Sequence, residues 1–196
     1  MIASVTANMG KFDKPSNVDF VITDKDFPLR DKSMTPRLQA RIVKMFMWQF
    51  VPDYDYYLWV DSSCHLKDKD WFLQQLGYND IAVFAHPHRD TVQEEADYLK
   101  HRLKINCPYI TPRYENEDID GQLEEVDPTA PLYASTAFIY KDSPRVRRAM
   151  KEWWYNTSRY HSIDQLSLPW AIKDLDVSVI EDNYLKCPAL EYVRNQ

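Results

Sequence analysis

Glycine is scarce in this chain. Its 196 residues include only three glycines, Gly10, Gly77 and Gly121, and these lie far apart. Phosphate-binding P-loops and the G-x-G-x-x-G turn of dinucleotide-binding proteins need clustered glycines, because backbone amides must approach the phosphates closely. If this chain binds a nucleotide, its phosphates must therefore be held by side chains or by a metal ion.

Cysteines and long apolar runs are also scarce. Cys64, Cys107 and Cys187 are an odd number without C-x-x-C spacing, which predicts reduced thiols and argues against a disulfide framework or a zinc site. The first residues lack the charged start and apolar core of a signal peptide, and no apolar run is long enough for a membrane span. We therefore expect a cytoplasmic protein with no membrane span.

The chain has no excess of positive charge. Its formal net charge is -6, which argues against nucleic acid as the main partner, because neutralising phosphates requires a basic surface. The length and the 44% hydrophobic content fit one globular domain over residues 1–196. The C-terminal residues carry no stop signal, so a longer parent protein, of which this would be the N-terminal part, stays an alternative.

Strand and helix patterns alternate along the chain. This alternation predicts the α/β class, with a mostly parallel sheet and helices on both faces. Ligands of such sheets bind beyond the carboxyl ends of the strands, here after Thr6, Thr23, Val60 and Phe84. The predicted strands are 2–6, 18–23, 56–60, 81–84, 132–140 and 177–180.

Capping residues mark the starts of the helices. Predicted helices run over 36–50, from the N-cap Thr35, over 71–76 and over 92–104, from the capping box at Thr91. Further helices begin at Ser143 and at a second capping box, residues 162–165. The proline-rich and acidic stretch 107–131 shows little periodicity and is predicted to be a loop that is either functional or disordered.

A carboxylate ends the third strand. The apolar run Tyr56–Val60 stops at Asp61, followed by Ser62 and Ser63, which places Asp61 at the ligand edge of the sheet. A hard divalent cation such as Mn²⁺ or Mg²⁺ takes oxygen ligands of this kind. The alternative is an aspartate that only caps a turn.

A basic helical face and a second strand-end carboxylate accompany Asp61. Arg37, Arg41 and Lys44 are spaced four and three residues apart, which puts them on one helical face, suited to a diphosphate or simply to solvent. Asp24 ends the second strand and could accept a hydrogen bond from a uracil or a ribose hydroxyl, or serve in a turn.

Polar residues also follow the fourth strand and precede the last predicted helix. His86 and Arg89 lie in the His-Pro-His-Arg segment and are candidates for contacts with sugar hydroxyls or phosphate, with a purely structural histidine as the alternative. Asp164 and Gln165 have a complete explanation as helix-capping residues, but a helix N-terminus can also present polar groups to a sugar.

Four motifs, taken in order, resemble one protein family. They are Arg41-x-x-Lys44, then Tyr57-x-Trp59-x-Asp61, His86-x-x-Arg89 with Glu95-Ala96, and Asp164-Gln-Leu-Ser167. The family was first described as a domain of unknown function in plants and bacteria and is now regarded as glycosyltransferase-like. The compact form is also similar to a viral domain that glycosylates capsid protein.

The resemblance implies a GT-A glycosyltransferase fold, a UDP-sugar donor, a glycan or glycoprotein acceptor and a Mn²⁺ or Mg²⁺ cofactor. By matched position, Thr6, Asp24, Arg41 and Lys44 would hold the nucleotide and Asp61 the metal. Asp164 and Gln165 match a catalytic Asp-Gln pair of retaining enzymes. The chain departs from the family pattern at Ser63, which replaces the second aspartate of the GT-A Asp-x-Asp motif and is a weaker candidate metal ligand, either through water or not at all. Ser62 beside it is a candidate for nucleotide-sugar binding, and no histidine follows His161 to close the metal shell.

Two alternatives to an active glycosyltransferase remain. Ser63 in the metal motif would also fit a non-catalytic module that binds nucleotide-sugar or glycan without turnover. A nucleotidyltransferase would use the same sheet edge, but such enzymes usually carry a glycine-rich phosphate loop, which this chain lacks.

Overall fold

A computed structural model describes residues 1–10, 17–30, 33–160 and 163–193. A six-stranded sheet forms its centre, with a separate two-stranded sheet beside it. The strands are β1 (Ile2–Asn8), β2 (Phe20–Thr23), β3 (Tyr56–Val60), β4 (Cys64–Leu66), β5 (Ile81–Ala85), β6 (Tyr133–Lys141), β7 (Val177–Ile180) and β8 (Leu190–Tyr192). The helices are α1 (Pro36–Met45), α2 (Met47–Phe50), α3 (Lys69–Leu76), α4 (Val92–Lys104), α5 (Thr111–Tyr114), α6 (Ile119–Glu125), α7 (Pro144–Arg159) and α8 (Leu168–Ile172).

The large sheet is mostly parallel, with one reversed strand. Its order is β2-β1-β3-β6-β5-β7. Strand β6 is antiparallel to both of its neighbours, β3 and β5, while the β1–β2, β1–β3 and β5–β7 pairs are parallel. The carboxyl ends of β1, β3 and β5 therefore meet at one edge of the sheet, and the amino end of β6 lies at the same edge.

Both faces of the sheet are buried, and this explains why the sequence of β3 is uniformly apolar. Successive side chains of a strand point to opposite faces. Tyr57 and Trp59 pack into the core formed with α1, α2, α7 and α8, whereas Leu58 and Val60 pack into the core formed with α3, β4 and β8. The predicted α/β class, with a mostly parallel sheet covered on both faces, is confirmed.

The stretch 107–131 is more ordered than the sequence predicts. It contains α5 and α6, and these pack with α4 around a third apolar cluster that includes Leu99, Ile110 and Leu132. Their short length explains why no helical period is visible in the sequence. This third cluster forms a layer beyond the ligand edge of the sheet.

Two predicted helices differ from the structure. The predicted helix 36–50 is interrupted at Phe46, whose backbone is not helical (φ -124°, ψ 38°). The Phe46 ring instead packs edge-on against Trp48 and Trp154, so aromatic packing overrides helix continuity there. The helix predicted to begin at Ser162, a residue outside the described ranges, begins only at Leu168, so Asp164 and Gln165 lie in the irregular segment before it.

None of the helices in the described ranges has the length and apolar character needed to span a bilayer.

The N-cap of α4 should contribute to the stability of the protein. The Thr91 hydroxyl accepts a hydrogen bond from the Glu94 amide, as the capping box predicts. Replacing Thr91 with Ala should lower the free energy of unfolding by about 1 kcal/mol, because the amide loses its partner. Chemical denaturation measures this change. Thr91→Ser keeps the hydroxyl and serves as the control; equal losses in both variants would show that the cap contributes nothing.

Candidate functional site

A cavity of about 580 Å³ opens at the ligand edge of the large sheet. Ala7 and Met9 at the end of β1, residues 61–63 after β3 and residues 86–89 after β5 contribute to its wall. Helices α1, α4 and α5 and the segment before α8 complete it. The cavity therefore lies where the parallel-sheet rule predicts, except that the end of β2 takes no part.

An irregularity in β6 brings two further polar residues to the cavity. Val83 of β5 pairs with Phe138, but the next residue, Phe84, pairs with Ala134. The chain between these two pairs bulges out of the ladder, and Ser135 and Thr136 line the cavity. Bulges commonly redirect side chains beside functional sites, and here the Thr136 carbonyl also accepts the Asp61 amide hydrogen at 2.8 Å.

A buried cluster of charges forms the floor of the cavity. Lys44 Nζ lies 2.8 Å from Asp164 Oδ2 and 3.8 Å from Asp61 Oδ1, and Arg41 Nη2 lies 3.2 Å from Asp164 Oδ1. The Ser135 hydroxyl donates to Asp164 Oδ2 at 3.2 Å. Both oxygens of Asp164 are therefore engaged by protein donors.

The cations decide the ionisation of Asp164. Burial alone raises the pKa of a carboxyl group, but the charges of Arg41 and Lys44 outweigh burial, and the pKa of Asp164 lies below its ordinary value. Asp164 is therefore ionised at neutral pH. Its main chain is held as well, because the Trp153 indole donates to the Asp164 carbonyl at 2.8 Å.

Asp61 is the carboxylate of the cluster that faces the open cavity. Its side chain is 32% exposed, compared with 4% for Asp164. The Trp59 indole donates to Asp61 Oδ1 at 2.7 Å, which fixes the carboxylate from below. Ser62 and Ser63 line the cavity beside it.

The metal expectation can be tested against the donor set. Within the described residues, no group of three or more His, Cys, Asp or Glu side chains is placed to hold a metal ion. Mg²⁺-type cations, however, are usually held by one or two carboxylates together with substrate phosphates and water. Asp61 with Ser63 fits a cation shared with a bound diphosphate and does not form a protein-only site.

His86 and Arg89 form a second polar corner of the cavity. Arg89 Nε is paired with Glu95, and the Arg89 amide donates to His86 Nδ1 at 3.2 Å. Burial and the neighbouring Arg89 charge lower the pKa of His86 to about 4. His86 is therefore neutral at neutral pH and offers hydrogen bonds, not charge.

The structure brings most of the predicted site residues together. Asp61, Ser62, Ser63, His86, Arg89, Arg41, Asp164 and Gln165 all line the cavity. The explanation of Asp164 as a helix cap is wrong, because its carboxylate binds the buried cations and its backbone precedes α8.

Three predicted nucleotide-binding residues are not part of the cavity lining. Strand β1 continues to Asn8, so Thr6 lies within the strand, fully buried, and the wall begins at Ala7. Asp24 accepts the Gly10 amide hydrogen with both carboxylate oxygens, which anchors the turn after β1. Lys44 is fully buried beneath Asp61 and Asp164, so the predicted basic face divides, with Arg37 and Arg41 at the cavity and Lys44 below it.

The sequence does not predict one wall of the cavity, which is formed by α4, the chain before α5, and α5 itself. Its residues in the cavity lining include Tyr98, Tyr109, Arg113 and Tyr114. They follow no strand end and show no spacing motif. The only signal was the unusual length and composition of the stretch 107–131, which marked a functional segment without identifying residues.

The mostly parallel sheet covered by helices agrees with the fold expected from the family that the sequence resembles. The family comparison agrees: the model of the "TOD1/MUCI70, glycosyltransferase-like domain" family matches residues 19–191. The match covers most of the chain, so the chain belongs to this family, and the predicted resemblance is confirmed.

Solved structures with a similar arrangement include two glycosyltransferases. One is galactosyltransferase LgtC in complex with donor and acceptor sugar analogues, at a TM-score of 0.41 and 13% identity, covering 83% of this chain and 52% of that one. The other is mouse xyloside xylosyltransferase 1 in its apo form, at a TM-score of 0.36 and 13% identity, covering 78% of this chain and 57% of that one. The chain thus spans little more than half of each. A comparison with curated proteins gives no match.

Asp164→Asn should strongly destabilise the protein. It would remove the negative charge that compensates buried Lys44 and Arg41, and breaking a buried pair costs about 3–5 kcal/mol. Asp61→Asn is the matched control: its side chain is partly exposed and the amide oxygen can still accept from Trp59, so we expect a loss of about 1 kcal/mol or less. Urea denaturation compares the two; a small loss for Asp164→Asn would mean that the ion cluster is not needed for stability.

His86 should make stability depend on pH. Its folded-state pKa, about 4, lies below the ordinary value of 6.5, so the unfolded chain binds the proton first as the pH falls. Neutral His86 therefore makes its full contribution to the free energy of unfolding above pH 6.5, and this contribution is lost as the pH falls to about 4. In His86→Asn this part of the slope should disappear, whereas replacing the exposed His101 with Asn should leave it unchanged. Thermal melts across this range test the expectation, and identical slopes in wild type and His86→Asn would refute it.

Proposed function

We propose that the domain is a metal-dependent glycosyltransferase that transfers a sugar from a UDP-sugar to a glycan or glycoprotein acceptor. One observation carries the proposal: Asp61, which follows β3, presents a partly exposed carboxylate to a cavity whose floor holds buried charges. Family membership supports sugar transfer in general. The uridine nucleotide and the metal go beyond what family membership supports and are proposed from the site.

The donor diphosphate would lie over the charged floor, between Asp61 and α1. Arg41 supports this placement, because its side chain lines the cavity and stays 17% exposed although Nη2 is paired with Asp164. A phosphate oxygen is a good acceptor for such a guanidinium group. The nucleoside would then extend along Ala7 and Met9, at the end of β1.

A Mn²⁺ or Mg²⁺ ion, held by Asp61 and Ser63, would neutralise charge on the departing diphosphate. Lys44 would act from below, because its ammonium group, 3.8 Å from Asp61, holds that carboxylate in place. The bond that breaks joins the sugar's anomeric carbon to the diphosphate oxygen, and the bond that forms joins that carbon to the oxygen of an acceptor hydroxyl, whose proton would pass to the departing diphosphate.

We further propose that the anomeric configuration is retained without a covalent intermediate on Asp164. A carboxylate that attacks carbon needs an unengaged oxygen, whereas both Asp164 oxygens bind cations. Asp164 would instead position Arg41. The neighbouring Gln165, whose side chain is a neutral amide, would contact the sugar from the cavity wall.

Calorimetry on Asp61 variants tests the proposal. Wild type should bind UDP far more tightly with Mn²⁺ than without it, and more tightly than GDP or CMP. Asp61→Asn should weaken Mn²⁺–UDP binding by about tenfold or more, because a neutral amide cannot compensate the cation. Ser63→Asp should retain or tighten binding, because it adds an anionic oxygen.

Two controls sharpen this experiment. Asp70→Asn removes an exposed carboxylate outside the cavity lining and should leave Mn²⁺–UDP binding unchanged. Slow Mn²⁺-dependent hydrolysis of a UDP-sugar separates an enzyme from a binding module. If Asp61→Asn binds Mn²⁺–UDP as tightly as wild type does, the metal lies elsewhere and the proposed site is wrong.

A further inference from the structure

The cavity wall carries more cationic charge than its own carboxylates neutralise. Arg41 is paired with Asp164 and Arg89 with Glu95. Within the described part of the chain, the remaining two arginines of the lining have no carboxylate at ion-pair distance. The four arginines of the cavity lining are Arg37, Arg41, Arg89 and Arg113.

The two unmatched arginines lie side by side. Arg37, on α1, donates from Nη1 to the Arg113 carbonyl of α5 at 3.4 Å, and its guanidinium group lies over the Tyr114 ring, 4.9 Å from the centroid. Burial lowers the pKa of Arg37, and the charges of Arg113 and Arg41 lower it further, while Tyr114 and Glu117 oppose the shift without cancelling it. A bound anion would relieve this crowding of like charges.

Arg113 is combined with an exposed aromatic ring. Its guanidinium group lies 3.5 Å from the centroid of the Tyr109 ring, which is 58% exposed. An exposed aromatic ring at the mouth of a cavity offers a flat apolar surface with a polar edge, on which a sugar ring can stack. A guanidinium fork binds a carboxylate with two parallel hydrogen bonds. We call Arg37, Tyr109, Arg113 and Tyr114 the arginine–tyrosine shelf.

We propose that the arginine–tyrosine shelf binds a carboxylate-bearing sugar, so that the acceptor of the transfer is an acidic glycan. This inference rests on the proposed function. A neutral glycan would use the exposed ring but leave both guanidinium groups unmatched. The donor diphosphate is the other anion at hand, but the charged floor, with Arg41 and Lys44 beside Asp61, already complements it.

Most of the shelf lies apart from that floor. Arg37, on α1, links the shelf to the floor. Tyr109, Arg113 and Tyr114 belong to α5 and the chain before it, whereas Asp61 follows β3 and Lys44 lies on α1. This separation is what a two-substrate enzyme needs, with donor and acceptor entering from different sides.

Binding of nucleotide-free oligosaccharides tests the proposal. Calorimetry of the whole chain would compare short oligomers of glucuronic acid with glucose oligomers of equal length, at one fixed ionic strength. We expect tighter binding of the glucuronate oligomers. Arg113→Ala and Tyr109→Ala should each weaken that binding by about tenfold or more, the effect of one lost charge-assisted contact or stacking partner.

A matched control comes from a similar pair outside the cavity lining. Arg159 lies over the exposed Tyr155 ring, 5.2 Å from the centroid, and Arg159→Ala should leave glucuronate binding unchanged. Arg113→Ala should also leave Mn²⁺–UDP binding within about twofold of wild type, because among the described residues no ion pair or hydrogen bond joins Arg113 to Arg41, Lys44 or Asp61.

The outcomes are distinguishable. Equal affinity for glucose and glucuronate oligomers would overturn the proposal. So would an Arg113→Ala variant that loses Mn²⁺–UDP affinity but keeps glucuronate affinity, because the shelf would then belong to the donor. Wild type that binds glucuronate oligomers through Arg113 but does not bind UDP would support the acidic-glycan site and contradict the proposed donor.

Discussion

The buried ion cluster of Arg41, Lys44 and Asp164 is the interaction on which the rest of the site depends. Removing each of these charges from water costs several kcal/mol, and only close pairing offsets that cost. The cluster joins α1 to the segment before α8, and Lys44 extends it to Asp61 at the end of β3. Helix α1 thus cannot shift or rotate without uncovering a charge, so these parts of the cavity form one rigid unit.

This rigidity has a chemical use. Dipoles and charges fixed before a ligand arrives need no reorganisation when charge develops during a reaction. Trp59 fixes Asp61 through its indole hydrogen bond, and Trp153 fixes the Asp164 backbone in the same way. Rigid aromatic side chains from the core therefore hold the Asp61 carboxylate and the Asp164 backbone, whereas the wall on α5 belongs to a layer of short helices.

Local pattern predicted the sheet well and the floor only in part. Apolar runs located the buried strands, and the parallel-sheet rule placed Asp61 and His86 at the correct edge. Helical spacing grouped Arg37, Arg41 and Lys44, but it could not show that Lys44 points inward, because that depends on Asp164, a residue far away in sequence. For the same reason, local pattern favours a helix cap at Asp164: its sequence neighbours resemble a capping box, whereas its partners Arg41 and Lys44 lie far away in sequence. The Tyr109–Arg113 wall had no local signature, since contacts between α5 and α1 exist only in the folded chain.

The place of β6 in the sheet has a consequence for synthesis of the protein. This strand lies between β3 and β5 but follows both in the sequence. Until residues 133–141 have left the ribosome, β3 and β5 each expose an unpaired, apolar edge of the kind that invites association with other chains. Pairing across such a long stretch of sequence also slows folding. Before β6 is available, the nascent sheet therefore consists of β1, β2 and β3, with β5 apart from them, because β7 also follows β6 in the sequence. The bulge of β6 also brings Ser135 to Asp164, so the cavity floor cannot be complete before β6 closes the sheet.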